Sequence, residues 1–226
     1  MRPWDWLSTA EQRLFARMAE VYAGFLSHAD HRLGRLLDYL EDSGHLPGGA
    51  DVPESVTPNI RSRSYTIAAE MDVETPEASG VIFSEGSRFG GHALYVKDGR
   101  LKYVYNFIGE LEQIVESTET IPIGHVVLSA TSEKKSDTMP TQGVLSLHIR
   151  DQKVGEDSIK TQPGKFGLDG GGLVVGRSGA EPISDDYTSD PPWPFVGGTI
   201  KRVVIDGSGD AFIDLAAEAR AAFARQ

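Results

Sequence analysis

The sequence predicts a mainly β protein, an antiparallel sandwich with a long helix ahead of it and a short one behind. Three observations carry that expectation. The chain of 226 residues holds 25 glycines and 12 prolines, enough to punctuate many short strands. Beyond Arg63 apolar residues recur at period two, as in Leu145-Ser146-Leu147-His148-Ile149, where both leucines and the isoleucine share one face. Asp98-Gly99 stands between two apolar runs and signals a hairpin, because both residues tolerate positive φ.

The N-terminal part, residues 1–45, reads as an amphipathic helix. Ser8 and Glu11 have the spacing of a capping box, in which hydroxyl and carboxylate satisfy each other's free backbone N–H groups. Leu14, Met18, Val21, Phe25, Leu33, Leu36 and Leu40 then recur at helical spacing, and Gly44 with Pro47 supplies the stop. Gly24 and Gly34 weaken it, each by about 1 kcal/mol against alanine. Residues 46–62, with Pro47, Pro53 and Pro58 and no sustained period, read as a linker.

The sandwich is expected over residues 63–226. Strands are predicted near Ser64–Val73, Gly80–Ser84, His92–Lys97, Leu101–Phe107, Leu111–Glu116, His125–Ser132, Val144–Arg150, Leu173–Gly176 and Thr199–Asp206. Asp151-Gln152 reads as a second tight connection, and Ala211 to Ala224 as a closing helix. Short strands without long intervening helices favour an antiparallel sandwich over an α/β sheet.

Composition narrows the function classes. A net charge of −11 argues against nucleic acid and anionic membranes, both of which need a basic surface. No apolar run reaches membrane-spanning length. With no cysteine there are no disulfides, thiolate metal sites or thiol nucleophile. Met1 to Leu7 lack the layout of a secretory leader, so a cytoplasmic location is expected.

The run from Gly90 to Leu101, GGHALYVKDGRL, resembles concanavalin A-like and laminin-G-like sandwiches, which implies a jelly-roll arrangement. Ser64-Tyr65-Thr66-Ile67, Thr161-Gln162-Pro163-Gly164-Lys165-Phe166 and Gly197-Gly198-Thr199-Ile200-Lys201-Arg202 resemble the C-terminal region of large bacterial arylsulfatases. The stretch from Gln12 to Leu37 resembles a helix of the sulfatase catalytic domain, so the chain reads as two pieces joined across an absent catalytic core. A sulfatase of this type needs a formylglycine made within a Cys/Ser-x-Pro-x-Arg motif and a metal-binding Asp-Asn pair. The one Ser-x-Pro is Ser189-Asp190-Pro191, Trp193 stands where arginine is needed, and neither Asn59 nor Asn106 follows an aspartate. No hydrolytic activity is expected from this chain alone.

The resemblance implies a non-catalytic accessory module. Alternatives are a lectin-like carbohydrate-binding module, or a subunit working with a catalytic sulfatase-type partner. The N-terminal helix, lacking the domain the family packs on it, is expected to self-associate or to recruit that partner. Tyr103, Tyr105 and Trp193, with Phe195, are candidates for an aromatic sugar platform, core packing being the competing reading. Asp185, Asp186 and Asp190, with Glu181, offer oxygen ligands for calcium without EF-hand spacing, and a merely solvated acidic loop is the competing reading. His28 and His31, with Asp30, lack the further ligands a zinc site needs. No cofactor is expected otherwise.

Overall fold

The computed structural model describes residues 51–54, 56–136, 138–166, 171–179, 181–187 and 190–207. Among them are ten strands: β1 (Tyr65–Val73), β2 (Gly80–Ser87), β3 (Gly90–Lys97), β4 (Arg100–Phe107), β5 (Leu111–Thr120), β6 (Gly124–Lys134), β7 (Thr141–Ile149), β8 (Gln152–Thr161), β9 (Leu173–Val175) and β10 (Gly198–Asp206). They form two antiparallel five-stranded sheets, ordered β10-β1-β6-β7-β8 and β5-β4-β3-β2-β9. The described residues include no helix. The helices expected within residues 1–45 and at Ala211 to Ala224, and the pair His28 and His31, lie outside them.

Period-two patterning sets the first sheet. On β1, Tyr65, Ile67, Ala69, Met71 and Val73 are buried while the residues between them are half-buried. β1 pairs with β6 without a slip, from Tyr65 opposite Ser132 to Val73 opposite Gly124, which keeps one apolar face inward on both strands. Leu128, Ala130, Leu145 and Leu147 continue that face and meet Phe83, Leu94, Val96, Leu101, Tyr103 and Tyr105 from the second sheet in one core.

Two hairpins show the local chemistry. Asp98 and Gly99 join β3 to β4 with φ of 52° and 71°, the conformation predicted from their residue types. The turn from β7 to β8 is Arg150-Asp151, one residue earlier than expected, with Arg150 at φ 56°. The strand that follows, β8, has no counterpart among the predicted strands. Its buried apolar residues, Val154 and Ile159, are five apart, a spacing that regular alternation would send to opposite faces. A bulge puts both on the core side: Leu147 pairs with Gly155 but His148 with Lys153, leaving Val154 as the extra residue.

The second sheet differs outside as well as inside. Seven of the eight residues of β2 and of β3 are buried, so both faces of these strands are covered. The main core lies on one side. On the other, Val81, Ala93, Tyr95 and Val104 pack with Ile183, Tyr187 and Trp193 from the segment between β9 and β10. That segment is anchored by backbone bonds from Gly176 N to Ile82 O (2.8 Å) and from Val81 N to Trp193 O (3.1 Å).

Of residues 46–62, expected as linker, the described ones, 51–54 and 56–62, lie along the sandwich. Val52 exchanges two backbone hydrogen bonds with Leu173, at 2.9 and 2.8 Å, and Ile60 joins the main core. The described residues all fall within one compact unit.

Candidate binding cleft

Tyr103 and Tyr105 share a strand face, as their spacing predicts, but that face is the interior. They are 0% and 1% exposed, which removes them from any sugar platform. The Tyr105 hydroxyl accepts a hydrogen bond from Gln162 N at 2.8 Å. Trp193 sits on the opposite face of the sheet, its ring 5.5 Å from that of Tyr187. Phe195 packs against the main core. The expected platform is therefore split between two sides of one sheet.

The three aspartates do not converge either. Asp186 lies between Lys97 (2.6 Å) and Lys102 (3.1 Å) and accepts from the Tyr95 hydroxyl at 2.8 Å. Burial disfavours its charge, but the hydrogen bonds from Lys97, Tyr95 and Lys102 outweigh that and hold its carboxyl below the usual range. Asp185 points to solvent with Arg88 Nη2 3.6 Å away, and Asp190 is exposed. Among the described residues no group of three or more His, Cys, Asp or Glu side chains converges for a metal ion. Asp186 clamps the covering segment to β3 and β4, so its oxygens are engaged by cations already present.

A polar chain crosses the interior instead. Thr57 Oγ1 donates to Glu85 Oε1 at 2.5 Å, and Glu85 Oε2 lies 3.2 Å from His92 Nε2. His92 Nδ1 is 3.0 Å from the Tyr103 hydroxyl, which is 2.6 Å from that of Tyr65. A carboxylate can only accept, so Nε2–H donates to Glu85, and in the neutral tautomer Nδ1 accepts from Tyr103. Rings of Phe83 and Phe166 stand 5.2 and 5.1 Å from the imidazole. His92 has no exposed surface, so this His–Glu pair meets no substrate and its work is structural. Burial pushes the Tyr65 hydroxyl up to about 12 and raises the Tyr103 hydroxyl as well.

A cleft of about 560 Å³ lies at one end of the second sheet, where three loops meet. The β2–β3 turn supplies Arg88 and Phe89, the β4–β5 turn Ile108 to Glu110, and the covering segment Pro182 to Asp185. Loops held on a rigid sheet are the usual place for recognition. Phe89 is 56% exposed and Ile108 46%, although both are large apolar side chains. The β2–β3 turn is tight because Gly90 has φ 142° and a Cβ there would meet the Gln162 side chain at 2.9 Å.

Buried amides hold these loops in place. Gln162 Oε1 accepts from Ile108 N at 3.2 Å. Asn106 Nδ2 donates to Ile183 O at 3.0 Å, and its Oδ1 accepts from Gly109 N at 2.9 Å. Ser184 Oγ donates to Glu112 Oε1 at 2.6 Å and accepts from Asp186 N at 3.0 Å. Sequence reasoning passed over all of these. The available signal was Phe89, an aromatic in a turn flanked by Gly86 and Gly90-Gly91, where no core needs it.

A second groove of about 560 Å³ runs between β5 and β8, the adjacent edges of the two sheets. Gln113 bridges it, its amide donating to Lys160 O at 3.0 Å and accepting from Lys160 N at 2.7 Å. Among the described residues no aromatic ring lines it.

No family model matches the chain, and no curated protein matches it; neither comparison supports the arylsulfatase resemblance. Among solved structures, the mouse laminin alpha1 chain, domains LG4-5, is similar at 12% identity and TM-score 0.47, over 69% of this chain and 38% of that one. The CBM40 of the Ruminococcus gnavus IT-sialidase is similar at 16% identity and TM-score 0.45, over 78% and 94%, and one of its structures is bound to alpha2,3 sialyllactose. A SAP-like pentraxin from Limulus polyphemus is similar at 14% identity and TM-score 0.40, over 70% and 67%. The sandwich assignment rests on the sheet pairing described above.

Proposed function

We propose that the chain is a non-catalytic carbohydrate-binding module and that the cleft between the β2–β3 turn, the β4–β5 turn and residues 182–185 receives the sugar. The observation that carries this reading is Phe89, 56% exposed beside a cleft that also presents Arg88, Glu112 and Asp185. A pyranose ring has an apolar face of C–H groups and a rim of hydroxyls. An exposed aromatic ring takes the face, and paired donors and acceptors take the rim. Guanidinium and carboxylate groups bind adjacent hydroxyls through two bonds at once and so fix orientation. Service as the accessory module of an arylsulfatase-like protein is the narrower proposal implied by the sequence resemblance. The sugar site does not depend on it.

The reading is tested by titrating the full chain calorimetrically with a panel of neutral, amino and acidic oligosaccharides, beside Phe89→Ala. Because Phe89 is exposed, the substitution leaves stability within about 0.5 kcal/mol. Binding that weakens about tenfold or more on removal of this aromatic anchor supports the proposal. Absence of binding, or binding indifferent to Phe89, sinks it.

A further inference from the structure

The charge around the cleft separates sugar classes. Among the described lining residues there is one guanidinium, Arg88, against three carboxylates, Glu110, Glu112 and Asp185. Arg88 is itself engaged, with Nε 3.5 Å from Glu181 and Nη2 3.6 Å from Asp185. Among the described residues no lysine or histidine lines the cleft. The chain as a whole carries a net charge of −11, which adds to the negative potential there.

An anionic sugar would have to displace Glu181 or Asp185 from Arg88 and then lie beside like charges, an arrangement that costs affinity. A protonated amine meets the opposite situation. The Asp185 side chain is 91% exposed and meets Arg88 only at 3.6 Å, so an ammonium group can add to that contact without displacing it. Among the described residues Glu112 takes one hydrogen bond, from Ser184, out of the roughly four sites a carboxylate offers. The hydrogen bond that Asp186 N donates to Ser184 Oγ in turn fixes the serine that orients Glu112.

We infer that the cleft selects an amino sugar, with Glu112 and Asp185 receiving its ammonium group while Phe89 takes the ring face, and that it rejects sugars bearing carboxylate or sulfate. This rests on the cleft being the sugar site.

The test compares three ligands on the full chain by calorimetry: chitotriose with free amines, its fully N-acetylated counterpart, and trigalacturonate. Slightly acid pH keeps the amines protonated and exposed carboxylates ionised. Chitotriose is expected to bind about tenfold tighter than the acetylated trimer, as charge-assisted contacts are about twice as strong as neutral ones. Trigalacturonate should bind weakest. Glu112→Gln combined with Asp185→Asn should erase the preference, and rising salt should shrink it. Both substitutions lie at exposed positions, and an unchanged melting temperature confirms that the fold survives.

Equal or tighter binding of trigalacturonate overturns the inference and leaves the sugar site standing. So does a preference that persists in the doubly substituted protein. Trilysine is the control for charge alone: binding as tight as chitotriose and independent of Phe89 would overturn the amino-sugar assignment. If none of the three sugars binds, the site and the inference fall together.

Discussion

On β1 and β6 of the sheet ordered β10-β1-β6-β7-β8, buried inward residues alternate with outward residues that are half-buried or exposed, among them Thr66, Glu70, His125, Ser129 and Thr131. In the other sheet, β2 and β3 are buried on both faces, because residues between β9 and β10 cover the outside. The interiors differ too. The first sheet contributes mainly aliphatic side chains, whereas the second brings Glu85, His92, Tyr103 and Tyr105. The difference teaches where the molecule concentrates its chemistry. A covered sheet needs anchored loops to hold its cover, and those same loops, fixed by Asn106, Gln162 and Ser184, frame the cleft.

The largest effect expected from this contrast is alkaline unfolding. Tyr95, Tyr103 and Tyr105 belong to the covered sheet, and burial raises all three hydroxyls; Tyr65, across the core, rises to about 12. A pKa raised in the folded state means stability that is complete below the unfolded value near 10 and is lost as pH climbs through the folded value. Ultraviolet titration should therefore show phenolate forming together with loss of the circular dichroism of the sheets. Smooth ionisation with the fold intact would show these hydroxyls to be accessible and break the contrast.

Next comes the interior chain. His92→Leu leaves Glu85 buried with Thr57 as its remaining described partner. It should cost about 3–5 kcal/mol in urea unfolding, the range for breaking a buried pair. Val204→Ala, at a 48% exposed position of β10, should change stability by no more than about 0.5 kcal/mol. Equal costs would erase the distinction between the two sheets.

An effect smaller than that of His92→Leu is expected at the clamp. Asp186→Asn should destabilise by about 1–3 kcal/mol, the range for a charged hydrogen-bonding group. Because the folded carboxyl is held low, its contribution is present above the unfolded value of about 3.9 and is lost as pH falls through the folded one. The difference between wild type and Asp186→Asn should accordingly vanish in strong acid. Saturating calcium should leave the melting temperature unchanged, since the ion would have to displace Lys97 and Lys102. A calcium-dependent rise abolished by Asp186→Asn would restore the metal site.

Much of the sheet was legible because period-two alternation and the Asp98-Gly99 turn act locally. β8 was not, since its bulge at Val154 breaks the period and most of its residues are polar. Tyr103 and Tyr105 were placed correctly on one face, but period alone cannot tell interior from exterior when a strand is covered on both sides. The covering segment has no period to read. Ile183, Tyr187 and Trp193 are spaced irregularly and gain meaning only once β2 to β4 lie beneath them. The acidic loop showed its charge in sequence but not Lys97 and Lys102, far along the chain, that neutralise Asp186.

Mapping a bound sugar by amide chemical shifts tests the central claim most directly, because it sets the cleft against the open face in one titration. With chitotriose and its N-acetylated form, shifts should concentrate at Phe89, Ile108, Gly109 and Ser184. Ser129, Ser146 and His148, on the open face of the first sheet, should remain unmoved. Shifts confined to that open face, with the three loops silent, would contradict the account.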